Sequence, residues 1–323
     1  MDNLVLYVTC PILSGAGAWL ISRWGKVLGL LDGPNKRSSH NTIIPKGGGI
    51  GILAALFVSC LFLSIPKSFW VPATILALLS LWGDRSGFSP KIRLIFQFAA
   101  SFILLAGIFI SQGSPPLVYL LIVPLSVFVV GTANYYNFMD GINGIAGITG
   151  MVGFGLLGWF AAVEGADTRV FTLCICLGLA CVGFLPFNMP KAKVFMGDVG
   201  SILLGFVFAC MVVWLSKNLL DFLCLSAFML PFYADELTTT VVRLRDKENL
   251  LHAHRRHFYQ LLSNERRVAH WKVSAGYGLF QLAVGVSVLA VKPVGIWGVL
   301  VLLAALFGGF AGVSFYFRRR LED

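Results

Sequence analysis

The sequence predicts an all-α polytopic membrane protein with about eleven transmembrane helices, its N-terminus outside and its C-terminus cytoplasmic. Three observations predict it. The 323-residue chain is 57% hydrophobic and only 12% charged, whereas soluble domains are about 25% charged. Apolar runs recur with short breaks from one end to the other. The basic residues fall almost entirely in every second break, which is the pattern of cytoplasmic loops.

The runs can be taken in order. A span needs about 20 residues, with a tolerance of about 17–25. The first, 4–24, has no basic start and no small-residue cleavage site, so it reads as a retained helix and not a signal peptide. Runs at 48–66, 69–83, 92–111 and 117–133 follow, then 145–163 and 170–187. The last four are 201–216, 219–234, 273–291 and 294–317. Those at 69–83 and 201–216 are short, so their ends are soft. The longest polar stretch, about 235–272, is too short for a soluble domain, and residues 1–323 read as one integral-membrane domain.

With the N-terminus outside, every Lys and Arg lies on the inner side except Lys67, Arg169, Lys217 and Lys292. All five histidines, His40, His252, His254, His257 and His270, also fall inside. The net charge of +10 is therefore positive-inside bias and not a nucleic-acid surface. The seven cysteines all lie in apolar runs and form no paired CxxC arrangement, so they read as reduced packing residues. The chemistry belongs to the cytoplasmic loops near 25–50, 83–93, 134–144, 188–201 and 235–272.

Charge beside hydrocarbon is costly and marks function by default. Four aspartates, Asp84, Asp140, Asp198 and Asp235, occupy such places on the inner face. The first loop carries Lys36, Arg37, His40 and Lys46 beside Gly47-Gly48-Gly49; the basic groups suit phosphate and the glycines allow close backbone approach. The second is Trp82-Gly83-Asp84-Arg85, where Asp84 can hold a metal, handle a proton, or pair with Arg85 or Lys91. In the third, Asn134, Asn137 and Asp140 recur every three residues on one helix face, ahead of Gly141 and Asn143. Such a face suits a base edge, a ribose or a hydrated cation. The fourth runs from Asn188 to Phe195-Met196-Gly197-Asp198. Asp198 supplies the hard oxygen that Mg²⁺ prefers, and Phe195 is an aromatic placed to stack on a base. The fifth joins Asp235-Glu236 to His252, His254-Arg255-Arg256-His257 and Tyr259-Gln260, a set suited to pyrophosphate.

The order of these motifs along one chain resembles the polyprenyl-phosphate N-acetylhexosamine-1-phosphate transferases, glycosyltransferase family 4. The resemblance covers essentially the whole chain. It implies transfer of a sugar 1-phosphate from a UDP-N-acetylhexosamine to polyprenyl (undecaprenyl) phosphate, with Mg²⁺, or Mn²⁺ as a substitute, and release of UMP. It implies a bacterial inner-membrane location with the site on the cytoplasmic face, and it leaves a homodimer open. By the same resemblance Asp198 is the metal-binding aspartate, joined by Asp84. Phe195 stacks on uracil and Asn188 contacts uridine. Asn137, Asp140, Gly141 and Asn143 form the nucleotide loop. His254, Arg255 and His257 belong to the histidine motif, with Arg255 and His257 steadying the pyrophosphate.

Two departures stand out. Gly83 sits where the family usually has the first aspartate of an Asp-Asp pair. The histidine motif has no adjacent histidines, which looks more like the O-antigen-initiating branch than the branch acting on UDP-MurNAc-pentapeptide. A lipid or nucleotide-sugar transporter is the rival from another class. Its charges would sit near the midplane of broken helices, not in loops at one face. The CDP-alcohol phosphotransferase signature fails because Asp140-Gly141 is followed by Ile-Asn-Gly.

Overall fold

The structure is a computed structural model that describes residues 3–34, 39, 42–249 and 254–322. Lys36, Arg37, His40 and His252 lie outside the described residues. The helices in chain order are α1 (Asn3–Trp24), α2 (Ile50–Phe62), α3 (Lys67–Ser86), α4 (Pro90–Ser111), α5 (Ile122–Met139) and α6 (Ile145–Val163). They continue as α7 (Thr168–Asn188), α8 (Asp198–Leu215), α9 (Leu219–Ser226), α10 (Leu230–Arg245), α11 (Phe258–Gln260), α12 (His270–Val291) and α13 (Ile296–Glu322). The all-α expectation holds apart from a two-residue antiparallel pair, β1 (Leu31–Asp32) with β2 (Ile44–Pro45).

Among the described residues, eight helices are long and apolar enough to cross a membrane: α1, α4, α5 with its leading turn, α6, α7, α8, α12 and α13. The three further spans expected from sequence are α2, α3 and the stretch 219–234. Helix α2 has 13 residues, about 20 Å at 1.5 Å per residue. Helix α3 has 20 residues but carries Lys67 at its start and Asp84 and Arg85 at its end, which dilute its apolar character. The 219–234 stretch breaks at Ala227–Met229 into α9 and α10. Pro231 stands in the first turn of α10, where its missing N–H costs nothing.

Two boundaries move in ways that matter for the site. Helix α3 continues past residue 83 to Ser86 and stops at left-handed Gly87. Asp84 therefore stands on the last turn of a helix, not in a loop as the sequence suggested. Helix α5 runs to Met139, so Asn134 and Asn137 lie on its final turns.

Helix α8 is the centre of the bundle, with 89% of its span buried, while α13 at 6% is the outer edge. That is why nearly every α8 residue is apolar or small, while α13 turns apolar side chains such as Val301 and Val313 outward. All seven cysteines are free and buried, as expected of packing residues.

Candidate active site

The site is assembled at the N-terminus of α8. Gly197, at φ +73°, caps the helix and sends Asp198 out as its first residue. Only glycine adopts that backbone readily. A side chain there would also press on Gly47 of the facing loop and on the Asp84 carboxylate. A carboxylate in the first turn is favoured by the helix dipole. The side-chain oxygens of Asp198 take partners from other elements.

Those partners come from far along the chain. Arg93, on the first turn of α4, forms an ion pair with Oδ2 of Asp198. Asn137 Nδ2 donates to Asp198 Oδ1 at 3.0 Å and to Ser201 Oγ at 2.8 Å. The Asp198 N–H donates to Oδ2 of Asp84 at 3.0 Å. Asp84 Oδ1 pairs with Lys46 Nζ at 3.2 Å, not with Arg85 or Lys91; Ser89 is the residue that caps α4. The Asp84 side chain is 5% exposed and that of Asp198 18%, so Asp84 backs the site and Asp198 faces its opening.

The glycine run serves this turn directly. The N–H groups of Gly47 and Gly48 both donate to the Phe195 carbonyl, and Gly49 N–H donates to that of Met196. Phe195 N–H returns a bond to Pro45 at 2.8 Å. The loop before α2 is thus stitched to the loop before α8, with half-buried Phe195 at the join.

Asp140 ends α5 beside these groups. Burial, together with the charges of Asp198 and Asp84, pushes its carboxyl from the ordinary 3.8 up to about 7. Three carboxylates therefore converge at one end of the bundle. Two cations, Lys46 and Arg93, are paired into the cluster. Arg93 also keeps its Nε buried without a hydrogen-bond partner.

The remaining expected residues divide. Asn188 is buried and bridges two loops, accepting from Gly144 N–H at 2.6 Å and donating to the Val194 carbonyl at 3.0 Å. Asn143 donates to the Pro190 carbonyl and takes its backbone N–H to His270 Nδ1. Asn134 does not join Asn137 at Asp198; its amide ties α5 to Gln97 of α4.

The histidine motif forms a second centre. Its anchor is Asp235, fully buried on α10. His257 lies between Asp235 and Glu236, with Nε2 at 3.4 Å from the Glu236 carboxylate. Burial, then Arg318 and Arg243, push the His257 pKa down to about 3. His254, its ring centroid 4.7 Å away, is lowered to about 4, chiefly by burial and then by His257. Both shifts favour the neutral imidazole. Arg255 pairs with Glu265 at 2.9 Å and Arg256 with Asp246 and Glu248. Among the described residues no hydrogen bond or ion pair joins His254, Arg255 or His257 to Asp84 or Asp198.

Residues 67–216 match the model of glycosyl transferase family 4. The match covers just under half of the chain. The matched stretch holds Asp84, Arg93, Asn137, Asp140 and Asp198, the residues gathered at the α8 N-terminus. A phospho-N-acetylmuramoyl-pentapeptide-transferase of Staphylococcus saprophyticus is 33% identical over 161 residues, 49% of this chain and 50% of that relative. A probable undecaprenyl-phosphate N-acetylglucosaminyl 1-phosphate transferase of Bacillus subtilis is 26% identical over 200 residues, 58% of this chain and 56% of the relative. An undecaprenyl-phosphate alpha-N-acetylglucosaminyl 1-phosphate transferase of Thermotoga maritima is 28% identical over 260 residues, 78% and 79% of the two chains. The chain thus spans about half the length of the first two relatives and more of the third.

Arg93 and Ser201 escaped the sequence reading as site residues, because their partners lie 105 and 64 positions away. One signal for Arg93 was present. Lys91 and Arg93 stand in the first turns of α4, where the helix dipole disfavours a cation. A cation held there implies an acid brought from elsewhere.

Proposed function

We propose that the chain transfers N-acetylhexosamine 1-phosphate from a UDP-sugar to polyprenyl phosphate, releasing UMP at the cytoplasmic face of a bacterial inner membrane. In this reading α2, α3 and the α9–α10 stretch join the eight long helices as spans, and the N-terminus lies outside. The observation that carries the proposal is the meeting of Asp84 and Asp198 with Lys46 and Arg93 at one helix N-terminus. Such a site offers acids for a metal and cations for phosphate in a single place.

The lipid phosphate oxygen attacks the β-phosphorus of the UDP-sugar. A new P–O bond forms as the bond from that phosphorus to the UMP oxygen breaks, and UMP departs with the electron pair. Positioning and charge neutralisation carry most of such a reaction. Arg93 is placed to meet a phosphate, since its fork has one arm on Asp198 and an orphan Nε. Beside it a narrow cleft lined by Leu76, Leu79, Phe88, Phe96 and Ile202 opens between α3, α4 and α8, with Asp198 and Arg93 at its polar end.

The donor set also fits Mg²⁺. No three acidic, His or Cys side chains among the described residues are arranged to hold a metal alone. Two carboxylates suit a cation that takes the rest of its shell from water and substrate phosphates, as Mg²⁺ does and Mn²⁺ can. Asp198 and Asp84 would hold it, and when bound it would supply charge neutralisation at the pyrophosphate. In this reading Phe195 would stack on the base, and Asn137, Asp140 and Asn143, at and beyond the end of α5, would meet the rest of the nucleotide.

The same chemistry on UDP-MurNAc-pentapeptide is the second reading, favoured by the 33% identity to the staphylococcal relative. The spacing of His254 and His257 without an adjacent pair favours a plain N-acetylhexosamine donor. Purified protein given polyprenyl phosphate, Mg²⁺ and each UDP-sugar in turn should release UMP in step with a lipid-linked sugar. Preference for UDP-MurNAc-pentapeptide would select the second reading.

A further inference from the structure

We propose that Tyr259 is a positioning residue for the 137–141 segment, the last turn of α5 and the turn after it, and that Asp235 exists to hold Tyr259 there. The proposal rests on the transfer reading above and adds a part to it. Asp235 lies outside the site itself, yet it is the most fully engaged carboxylate among the described residues. It accepts from Phe258 N–H at 2.7 Å, Tyr259 N–H at 3.1 Å, Tyr277 hydroxyl at 2.7 Å and Thr239 hydroxyl at 3.2 Å. The two backbone N–H groups belong to the first turn of α11, where no intrahelical acceptor exists. Asp235 thus caps α11 from another helix.

That cap fixes where Tyr259 points. Its side chain is completely buried, and its hydroxyl donates to the Phe138 carbonyl at 3.1 Å. Phe138 sits between Asn137, which holds Asp198 and Ser201, and the Asp140-Gly141 turn. Gly141 takes no left-handed backbone. It is glycine for space: a Cβ there would collide with the Tyr259 hydroxyl and come within 3.0 Å of the ring carbon bearing it. The end of α5 that presents Asn137 and Asp140 is therefore seated on Tyr259, and Tyr259 is seated on Asp235.

The test is a mutant cycle on the full-length protein: Gly141→Ala, Tyr259→Phe and the two together. UMP release and thermal unfolding are measured for each. Gly141→Ala should cost about 100-fold in kcat/KM, the scale of a 1 Å misplacement. Tyr259→Phe should cost about threefold to tenfold, the loss of one hydrogen bond. That loss should appear in the KM for UDP-sugar and leave the KM for polyprenyl phosphate within about twofold. The double variant removes the colliding hydroxyl, so it should recover at least about tenfold over Gly141→Ala alone, a coupling that independent sites do not show. A double variant whose loss is the product of the two singles overturns the proposal. So does a Tyr259→Phe effect confined to the lipid KM. If the wild type released no UMP from any donor, the transfer reading would fall. The unfolding cycle would then decide the contact on its own, and additive shifts would overturn it too.

Discussion

Asp198 and Asp235 are both aspartates held on helices at the same end of the bundle, and their partners differ in kind. Asp198 is met by a guanidinium and a side-chain amide and is partly open to solvent. Asp235 is closed off entirely, with two backbone N–H groups and two hydroxyls on its oxygens. The first set consists of side chains alone, so in the proposed reading a cation can replace it without stranding a backbone group. The second cannot be exchanged, because buried N–H groups left without an acceptor cost about 1–3 kcal/mol each. A buried acid in a membrane protein is a functional candidate, and this pair shows two ways of being one. In the proposed reading one acid does chemistry and the other holds the parts that do.

Breaking the chemical member should produce the largest effect. Asp198→Asn keeps the shape and removes the charge. A metal clamp contributes several kcal/mol to a transition state, and each 1.36 kcal/mol is tenfold, so kcat should fall about 100-fold or more. Thermal unfolding should hardly move, since the pair with partly exposed Arg93 is worth little to stability. Near-normal turnover at ordinary Mg²⁺ would remove Asp198 from the centre.

Phe195→Ala probes the donor side of the same region. Stacking of a base on an aromatic is worth about 1–3 kcal/mol in single-strand nucleic-acid binders, so the KM for UDP-sugar should rise roughly fivefold to 100-fold. A rise in lipid KM alone would reassign Phe195 to the acceptor.

The holding member should respond in the opposite way. Asp235→Asn should lower stability by about 1–3 kcal/mol, because an amide cannot satisfy the same donors. The surviving folded protein should keep kcat within about threefold and lose mainly donor affinity. A variant that unfolds normally yet loses turnover as Asp198→Asn does would erase the distinction.

The smallest expected signal is in pH. The folded pKa of Asp140, about 7, lies above its ordinary 3.8. The stability it contributes is full below about pH 4 and is lost as pH rises through about 7, because the folded state keeps the proton longer. Between pH 5 and 8 the wild type should lose unfolding temperature relative to Asp140→Asn. Parallel curves would mean that neither burial nor the charges of Asp198 and Asp84 raise the Asp140 carboxyl.

The helices were legible where apolar runs were long, as for α4, α6 and α7, whose ends fall within a few residues of the runs. Helix α3 was read too short because Gly83-Asp84-Arg85 looks like a loop and is in fact the helix's last turn. Asp198, Asn137 and Asp84 were found because each sits in a local motif. Their convergence on Arg93 and Lys46 was not readable, since the partners are 105 and 38 positions from the acids they meet. The role of Asp235 was hidden for the same reason: its donors come from α11 and α12 as well as from its own helix. The structure also gives the Gly83 departure a physical context. A side chain at 83 would press on Phe88 and approach the Arg93 guanidinium, so a first aspartate there would compete with Asp198 for Arg93.

The central claim is that the site at the α8 N-terminus supports transfer of a sugar 1-phosphate from a UDP-sugar to a lipid phosphate. The direct measurement is UMP release by purified wild type and Asp198→Asn, side by side, with polyprenyl phosphate, Mg²⁺ and a panel of UDP-N-acetylhexosamines. The account predicts UMP from the wild type in equal amount to lipid-linked sugar, and about 100-fold less or none from the variant. No UMP from the wild type, under conditions where a known sugar-phosphate transferase works, or equal release from both proteins, would contradict it.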